Sequence, residues 1–421
     1  MASAEVVDLA EVEVGLAEAV EVEAAARPVS AEHDAFTRFS ETVSLDVGVF
    51  KMAKALHTRP QSQEGGENPI AALLDENGVL TAEGERIAAV SDEQLRELYR
   101  MMVIARRLDQ EGLNLQRQGE LGLWGPYVGH EAAQVGAALA MESTDWIFPY
   151  YRDFAMAICR GIDPGRILTI FRGLTHGAWN PYEHRFAPFI IPVGTQVPHA
   201  VGFAVGCKFD HEQTAVLVGF GEGATSTGDW HEAMNFAGVF QAPVVFLCEN
   251  NQWAISVPLN EQVSGRVVDR AAGYGFPGVR IDGTDALTVY AVVKAAAKHA
   301  REGNGPFLIE SVSYRMQPHT TSDDPTRYRT DADVEPWRDK DKDPIERCAT
   351  RLRQRNAFDE SFVAAVTREA EERAAAMRQT VLTAQPEHPE SVFNLVFANP
   401  PAALLRERDE FTASLEQGGA E

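Results

Sequence analysis

Two short apolar runs and the segment that joins them constrain the fold more than any other part of the chain. The first run, Ala215–Phe220, stops at Gly221-Glu222-Gly223, and the second, Val244–Cys248, stops at Glu249-Asn250-Asn251. Short apolar runs that contain β-branched residues and end abruptly at a polar turn are typical of buried parallel strands. The sequence therefore predicts two strands of one sheet, each followed at its carboxyl end by a polar motif.

The segment between the two runs has the signals of a helix. Residues 225–227 are Thr-Ser-Thr, which supply N-cap side chains, and Asp229 places an acid in the first turn. Helical spacing continues to Phe240 and must end before Pro243. A strand, a helix and a strand form a βαβ unit with parallel strands. We predict an α/β fold with a doubly wound, mostly parallel sheet flanked by helices.

The two polar motifs suggest a metal site at the sheet edge. Glu222 and Asn251 lie 29 positions apart, but the carboxyl ends of parallel strands meet at one edge of a sheet. A carboxylate, an amide oxygen and the oxygens of a diphosphate together suit Mg²⁺. Glycines beside Glu222 would let backbone N–H groups approach the phosphate oxygens. The spacing alone also fits a purely structural role, in which the glycines make a tight turn and the asparagines cap a loop.

A dinucleotide site is a second interpretation of the same residues. The stretch from Gly219 to Ala224 satisfies the G-x-G-x-x-A pattern, and Glu249 stands where such folds place a ribose-binding acid. However, the carboxylate of Glu222 would then face a pyrophosphate of like charge unless a cation lay between them. We therefore favour a Mg²⁺-diphosphate site over an NAD site.

The remainder of the chain divides into a tail, a folded region and a second tail. The first 26 residues carry seven acids and no base, which favours a mobile tail over an amphipathic helix. We predict an acidic tail and linker over residues 1–66, a cofactor-binding domain over 67–395 and a C-terminal tail over 396–421. Helical spacing begins near Ser91, and a stripe of apolar residues after Pro344 predicts a helical C-terminal part of the domain.

Charge and hydropathy exclude several classes of protein. The 421 residues include 38 Lys and Arg against 62 Asp and Glu, a formal net charge of −24. Because nucleic-acid binding relies on contacts from basic side chains to phosphates, a nucleic-acid partner is not expected. No apolar run approaches the roughly 20 residues that span a bilayer, and the N-terminus is acidic where a signal peptide is basic. We expect a cytoplasmic protein with no membrane partner.

Several segments form a recognisable pattern with the two polar motifs. Gly221-Glu222-Gly223 and Asn250-Asn251 are separated by 26 residues. The other segments that match are Phe148–Asp153, Pro192–Gly202, Asn250–Ser256, Val279–Gly283 and His319–Arg329. The chain resembles α subunits of thiamine-diphosphate-dependent 2-oxo acid dehydrogenases, in motif order and over roughly residues 91–393.

The resemblance implies two cofactors, thiamine diphosphate and Mg²⁺. By position, the Mg²⁺ ligands would be Glu222, Asn251 and the backbone carbonyl of Trp253. These ligands agree with the site that the strand ends suggest on their own, except that the carbonyl of Trp253 comes from the resemblance alone.

The resemblance also implies which residues hold the diphosphate. Tyr151 and Arg152 would bind it, and the backbone N–H groups of Gly223 and Ala224 would donate to it. Arginine suits this position because its planar guanidinium pairs with phosphate oxygens in a bidentate manner.

Three further roles come from the resemblance alone. Ile191 and Val193 would line the cofactor cleft, and Val193 matches the apolar residue that keeps the two cofactor rings bent towards each other. His319 matches a catalytic histidine that reaches towards the diphosphate and the reacting centre. Thr320 occupies the position of a serine that is phosphorylated in some relatives, so phosphorylation of Thr320 is a further hypothesis.

The implied activity is oxidative decarboxylation of a small-molecule 2-oxo acid, with transfer of the acyl group to a lipoyl arm. The implied partners are a β subunit, in an α2β2 heterotetramer, and a dihydrolipoamide acyltransferase core. A non-catalytic interaction subunit is the alternative if cofactor binding is absent.

The substrate depends on details of the sequence that point in two directions. Glu222, Ala254–Ser256 and Ser322–Asp324 favour branched-chain acids such as 3-methyl-2-oxobutanoate. Glu249 favours pyruvate, because many branched-chain relatives have an arginine there. Leu174–His184 also departs from the branched-chain pattern, which leaves open the position of a substrate-facing histidine. We expect branched-chain 2-oxo acids, with pyruvate as the alternative.

Overall fold

A computed structural model describes residues 90–418, except for residues 176, 389 and 395. The predicted acidic tail and linker, residues 1–66, and the start of the predicted domain at residue 67 lie outside this range. The segment predicted as a C-terminal tail, residues 396–421, includes a helix over Ala402–Gly418.

Helices make up most of the regular structure. Numbered along the chain, the α-helices are α1 Asp92–Arg117, α2 Glu131–Ala140, α3 Phe154–Cys159, α4 Pro164–Phe171, α5 Pro181–His184, α6 Gln196–Phe209, α7 Gly228–Phe240, α8 Leu259–Gln262, α9 Arg270–Gly273, α10 Ala286–Arg301, α11 Asp331–Val334, α12 Pro344–Gln354, α13 Glu360–Thr383, α14 Ser391–Asn394 and α15 Ala402–Gly418. Three single turns of 3₁₀-helix lie at Glu222–Ser226, Pro325–Arg327 and Glu335–Trp337. Within the described range, none of the helices combines the length and the apolar character needed to cross a bilayer.

The strands form one parallel sheet and a small hairpin. The strands are β1 Trp146–Phe148, β2 Val216–Gly221, β3 Val244–Asn250, β4 Trp253–Ala254, β5 Val257–Pro258, β6 Gly278–Asp282 and β7 Phe307–Val312. In the sheet the order is β1-β2-β3-β7-β6, and every neighbouring pair is parallel. Strands β4 and β5 form the antiparallel hairpin. The predicted α/β class with a mostly parallel sheet is therefore confirmed.

Both faces of the sheet are covered. Side chains of a strand alternate between the two faces, so Val216, Val218 and Phe220 of β2 pack into one apolar cluster and Leu217 packs into another. The first cluster includes residues of α6 and α7, and the second includes residues of α1, α2 and α10. Helices on both faces explain why the strands are apolar along their whole length, and they make the fold doubly wound.

The βαβ unit that dominates the sequence begins its helix later than the N-cap signal suggests. Residues Glu222–Ser226 first form a 3₁₀ turn, and α7 starts at Gly228 with the side chain of Thr227 accepting from the backbone N–H of Trp230. The helix ends at Phe240, and the next residue, Gln241, adopts a left-handed conformation with φ of 47°. This extra turn places the residues around Glu222 directly beyond the strand end.

The predicted helical C-terminal part is also present. Helices α12 and α13 both pack on α1, and Leu352 and Val366 are buried as the apolar stripe requires. Helix α1 itself begins with a capping box, in which Ser91 and Gln94 exchange side-chain and backbone hydrogen bonds. These helices support one face of the sheet, while the carboxyl edge remains available for the site described next.

Candidate active site

Glu222 and Asn251 lie side by side at the carboxyl edge of the sheet. Gly221 at the end of β2 pairs in register with Glu249 of β3, so the residues that follow emerge together. The side chain of Glu222 is 1% exposed, and its Oε2 accepts a hydrogen bond from the backbone N–H of Asn251 at 3.2 Å. Its Oε1 is buried with no hydrogen-bond partner in the described part of the chain. A buried carboxylate oxygen in that state is a ready ligand for a cation.

Two neutral oxygens come from Asn251 and Trp253, which lie just beyond β3. The side-chain Oδ1 of Asn251 accepts from the backbone N–H of Trp253 at 3.2 Å. The carbonyl of Trp253 accepts from Nη1 of Arg315 at 3.3 Å. The described residues contain no group of three or more His, Cys, Asp or Glu side chains that could hold a metal. A cation here would therefore depend on one carboxylate and on neutral oxygens, a donor set that suits Mg²⁺.

Burial gives the Glu222 carboxyl group an unusual acidity. Loss of solvent raises its pKa to about 7, although nearby backbone N–H groups and the charge of Arg315 act in the opposite direction. A carboxylate that is costly to ionise in a buried site is stabilised when a cation binds beside it. The site thus has an energetic reason to take up a metal ion.

The turn beyond β2 is tightly packed. A Cβ atom at Gly223 would lie 3.2 Å from the Cβ of Ala254, which is tighter than most side-chain contacts. Ala224 is buried, and the carbonyl of Glu222 accepts a hydrogen bond from Nε2 of Gln262 at 3.4 Å. A small residue at 223 therefore keeps the loop at 254 close to the turn, so the two polar motifs stay together.

Arg152 lies after β1, the strand next to β2, and its guanidinium is almost completely buried. Its Nη1 donates to the carbonyl of Pro126, and its Nη2 donates to the carbonyl of His319 at 2.9 Å. Its Nε is buried and has no partner among the described residues. The hydrogen bonds that the described residues offer this buried cation come from neutral groups and leave its charge poorly compensated, so this position favours an anion.

Tyr151 and His319 stand beside the arginine. Their rings are perpendicular with centroids 5.9 Å apart, and the guanidinium carbon of Arg152 lies 5.6 Å from the centre of the Tyr151 ring. Burial, together with the charges of Arg152 and Arg315, lowers the pKa of His319 to about 3. The histidine is therefore neutral at pH 7.

The geometry also assigns the position of the remaining proton on His319. Nδ1 of this ring lies 3.2 Å from Nη2 of Arg152. A guanidinium can only donate hydrogen bonds, so Nδ1 must be the acceptor. The proton of the neutral imidazole is consequently on Nε2.

The loop that carries His319 is held by charged and polar side chains that sequence reasoning did not single out. Arg315 donates to the carbonyl of Ile255 at 2.6 Å and to the hydroxyl of Tyr328 at 2.8 Å. Arg329 donates to the carbonyls of Arg315, Met316 and Gln317. Arg315 could have been found by the argument that found Asn251, because it follows β7, the strand next to β3, at the same sheet edge.

Glu249 does not face the site. Its side chain is fully buried, and its Oε2 lies 2.8 Å from Nδ1 of His130. The same oxygen accepts from Nε2 of Gln134 at 3.3 Å and from the hydroxyl of Tyr150 at 3.4 Å. A carboxylate enclosed in this way cannot bind a ribose, which the dinucleotide interpretation requires. It is also not available to a diphosphate, whereas Arg152 has a buried Nε with no partner among the described residues.

The remaining predicted residues lie at the surface of the described chain. Ile191 is 57% exposed and Val193 is 51% exposed, just before α6. In the segment from 174 to 184, residue 176 is outside the described residues, and Nδ1 of His184 lies 3.0 Å from the carbonyl of Arg160.

Comparison with known proteins gives close relatives. The α subunit of 3-methyl-2-oxobutanoate dehydrogenase from Mycobacterium tuberculosis (strain ATCC 25618 / H37Rv) is 44% identical over 344 residues, which cover 82% of this chain and 93% of that subunit. The α subunit of 2-oxoisovalerate dehydrogenase from Bacillus subtilis (strain 168) is 40% identical over 61% of this chain and 81% of its own length. The α subunit of the pyruvate dehydrogenase E1 component from Bacillus cereus is 38% identical over 72% of this chain and 83% of its own length.

The family model for the dehydrogenase E1 component matches residues 99–390. The match begins in α1 and ends between α13 and α14. It therefore includes the whole parallel sheet and the edge that carries Glu222, Asn251 and Arg152. The chain therefore belongs to the dehydrogenase E1 component family.

Proposed function

We propose that this chain is the α subunit of a branched-chain 2-oxo acid dehydrogenase, which oxidatively decarboxylates acids such as 3-methyl-2-oxobutanoate and transfers the acyl group to a lipoyl group. The observation that carries the proposal is the placement at one sheet edge of two buried groups, the Glu222 carboxylate and the Arg152 guanidinium, each with a polar atom that has no hydrogen-bond partner among the described residues. One group suits a cation and the other an anion, as a metal-bound diphosphate requires.

The cofactor assignment follows from the family and from this geometry. Dehydrogenase E1 components depend on thiamine diphosphate. In our proposal Mg²⁺ is bound by Glu222, Asn251 and the carbonyl of Trp253, whose oxygen has a second lone pair besides the one that accepts from Arg315. The donor set fits the ion because all three groups offer oxygen, and one of them carries the negative charge that Mg²⁺ prefers.

The other residues act on the diphosphate and around it. Arg152 presents its Nε to the anion while its two Nη groups keep their carbonyl partners. Tyr151 borders the same space, and the backbone N–H groups of Gly223 and Ala224 provide further donors at the turn. Ile191 and Val193 supply the apolar lining of the cleft. When bound, the thiazolium ring of the cofactor supplies a carbanion and an electron sink for decarboxylation.

His319 is the proposed catalytic residue. Because its Nδ1 accepts from Arg152, the ring is oriented and its Nε2 holds the proton. A neutral imidazole with a fixed tautomer can donate a hydrogen bond to a developing negative charge without gaining a charge itself. The imidazole does not need to take up a second proton near pH 7 to perform this role.

The substrate assignment is supported by the relatives. The relative at 44% identity is named for 3-methyl-2-oxobutanoate, and the relatives named for pyruvate are 35–38% identical. Pyruvate remains the second candidate, because Glu249 stands where many branched-chain relatives have an arginine. The burial of Glu249 against His130 reduces the weight of that difference, since the side chain does not face the cofactor.

A β subunit is the proposed partner, in an α2β2 heterotetramer that serves a dihydrolipoamide acyltransferase core. The relatives are named as α subunits. The chain also exposes apolar side chains next to the site, Ile191, Val193 and Ile255, and others on α6 and α7, namely Phe209, Phe236, Val239 and Phe240. Burial of such surface against another subunit would be favourable.

Reconstitution tests the proposal directly. The chain is combined with its β subunit, thiamine diphosphate and Mg²⁺, and ferricyanide-coupled rates are compared on pyruvate, 3-methyl-2-oxobutanoate and 4-methyl-2-oxopentanoate. We expect higher kcat/KM for the two branched acids than for pyruvate. A preference for pyruvate would select the second candidate, and metal-independent NAD binding with no decarboxylation would overturn both.

A further inference from the structure

A short segment, residues 121–127, connects helix α1 to the loop that carries His319. The backbone N–H of Trp124 donates to the Oγ1 of Thr321 at 3.1 Å, and the backbone N–H of Thr321 donates to the carbonyl of Trp124 at 2.9 Å. This reciprocal pair lies two residues after His319. The position of the Trp124 backbone therefore sets the position of the histidine loop.

The same segment contacts the arginine of the site. The carbonyl of Pro126 accepts from Nη1 of Arg152. At Gly125 a Cβ atom would lie 3.5 Å from that Nη1 and 4.0 Å from the carbonyl oxygen of His319. Segment 121–127 thus lies against both Arg152 and the backbone of His319, the two residues that we assign to the diphosphate.

One buried side chain on α1 holds this segment. Asp109 is 2% exposed. Its Oδ1 accepts from the indole Nε1 of Trp124 at 2.8 Å, and its Oδ2 accepts from the backbone N–H of Tyr127 at 3.2 Å. Both oxygens of one carboxyl group are therefore engaged with residues only three positions apart, on either side of Pro126.

The packing around Trp124 is arranged for this contact. At Gly112, three residues after Asp109 on α1, a Cβ atom would lie 2.6 Å from the indole ring, so only glycine leaves room for the ring there. On its other side the indole stacks on Phe154, with ring centroids 4.7 Å apart and planes inclined by 26°. The ring is enclosed, and the remaining freedom of the segment is limited by the two hydrogen bonds to Asp109.

An acidic side chain in this position has a cost. The pKa of Asp109 is raised to about 7, mainly by burial, even though the N–H donors of Trp124 and Tyr127 act in the opposite direction. An apolar residue would avoid the loss of solvation. The carboxyl group is explained by what it does, which is to accept from a side chain and a backbone group at once and so fix the direction of the segment.

We propose that Asp109 is a positioning residue for the cofactor site, which acts through Trp124 and segment 121–127 to hold Arg152 and the His319 loop in place. The inference rests on the proposed function, because it assigns Arg152 and His319 to the diphosphate. It adds a role for a residue outside the site, on helix α1.

The test compares Asp109→Asn with Glu111→Gln in the reconstituted α/β complex. Both are carboxylate-to-amide changes of buried residues on α1, but Glu111 pairs with Arg107 and Arg378 and does not contact segment 121–127. Trp124→Phe, which keeps an aromatic ring and removes the indole N–H, is the second probe. Three quantities are measured: the Kd for thiamine diphosphate with Mg²⁺, the KM and kcat for the 2-oxo acid, and, without cofactor, the rate of tryptic cleavage after Arg327 in the histidine loop.

We expect Asp109→Asn and Trp124→Phe each to raise the Kd for thiamine diphosphate about tenfold and to accelerate cleavage after Arg327, with little change in KM for the acid. Asp109→Asn keeps one acceptor oxygen and so loses one of the two hydrogen bonds that the carboxyl group accepts, whereas Trp124→Phe removes the indole donor. Because both changes act on the same pair of hydrogen bonds, the loss in the double variant should be smaller than the sum of the two single losses. Glu111→Gln should leave the Kd and the cleavage rate unchanged.

Unchanged Kd and cleavage rate in Asp109→Asn would overturn the inference, as would equal losses in Asp109→Asn and Glu111→Gln together with a lower Tm, since those would indicate general destabilisation. If the wild-type complex itself failed to bind thiamine diphosphate, the proposed function would fall instead. In that case faster cleavage after Arg327 in Asp109→Asn would still support the anchoring of the loop.

Discussion

The candidate site joins two regions that are held in different ways. The sheet-edge region, Gly221–Ala224 and Asn250–Trp253, follows directly from paired strands, and its register is fixed by backbone hydrogen bonds. The loop region, residues 315–329, is held mainly by side chains of residues that are distant in sequence. Arg152, for example, donates to the carbonyl of His319, which lies 167 positions further along the chain. A region held by the sheet tolerates side-chain changes without moving, whereas a region held by side chains moves when one of them is replaced.

The first prediction concerns a variant that removes the negative charge of the sheet-edge region and leaves its backbone in place. Glu222→Gln keeps the volume of the side chain but removes the negative charge. We expect Mg²⁺-dependent binding of thiamine diphosphate to weaken by at least about 100-fold, because the ion loses its charged ligand. Isothermal titration calorimetry of the α/β complex, at fixed cofactor and varied Mg²⁺, measures the loss.

The same variant should not reduce the stability of the cofactor-free protein. Glu222 Oε1 is buried without a partner among the residues that the structure describes, so the charge costs desolvation that glutamine avoids. A Tm equal to or above that of the wild type is therefore expected. Glu302→Gln, an exposed carboxylate in a weak pair with Lys298, is the matched control and should change neither quantity. Unaltered Mg²⁺ dependence in Glu222→Gln would remove Glu222 from the metal site.

The second prediction targets the link between the two regions. Arg152→Lys keeps the positive charge but loses the planar fork that bonds to Pro126 and His319 at once. We expect the Kd for thiamine diphosphate to rise about tenfold, a smaller effect than that of Glu222→Gln because the charge remains. Direct titration of the cofactor at saturating Mg²⁺ measures it.

Arg100→Lys is the control for this second change. Arg100 lies on α1 and forms ion pairs with Glu97 of the same helix and Glu369 of α13, outside the candidate site. The control should bind the cofactor as the wild type does. If Arg152→Lys also bound it normally, the fork geometry would be unimportant and only the charge would matter.

The two regions also differ in how far the sequence predicts them. The apolar runs at 215–220 and 244–248 predict β2 and β3, their parallel pairing, and so the meeting of Glu222 with Asn251. The intervening helix starts later than predicted, because Thr225 and Ser226, the first two residues of the N-cap signal, lie in the 3₁₀ turn at Glu222–Ser226. Strand alternation and turn chemistry are local, so a single sequence contains them.

The contacts of the loop region are not local, and sequence reasoning missed them. Nothing in the spacing of Asp109 and Trp124, or of Arg315 and Tyr328, shows that these pairs meet. Glu249 is a related case, since its position suggests a ligand-binding acid but its side chain turns inward to His130. Side-chain direction depends on packing against elements that are distant in sequence, which periodicity does not contain. The residue roles at 151, 191, 193 and 319 came from family resemblance and stay predictions until they are tested.

The last and smallest prediction concerns pH and isolates the electrostatics of the loop region. Folding lowers the pKa of His319 to about 3 from an ordinary value of 6.5, through burial first and then the charges of Arg152 and Arg315. Between these two pH values the unfolded chain binds a proton that the folded chain does not, so the free energy of unfolding falls as the pH falls from 6.5 towards 3. Above pH 6.5 the ring is neutral in both states and contributes no pH dependence.

Replacement of the imidazole should remove the contribution of His319 to the fall in unfolding free energy at low pH. Between pH 7 and pH 5 we expect the wild type to lose roughly 1 kcal/mol more unfolding free energy than His319→Asn, a figure that allows for partial solvent exposure of the ring. Urea unfolding at the two pH values measures the difference, and His388→Asn, on an exposed side chain, controls for the loss of a histidine. An equal pH dependence in the wild type and His319→Asn would mean that the ring is free to take up a proton, which requires a loop that is open to solvent and less firmly held by Arg152 than its hydrogen bonds indicate.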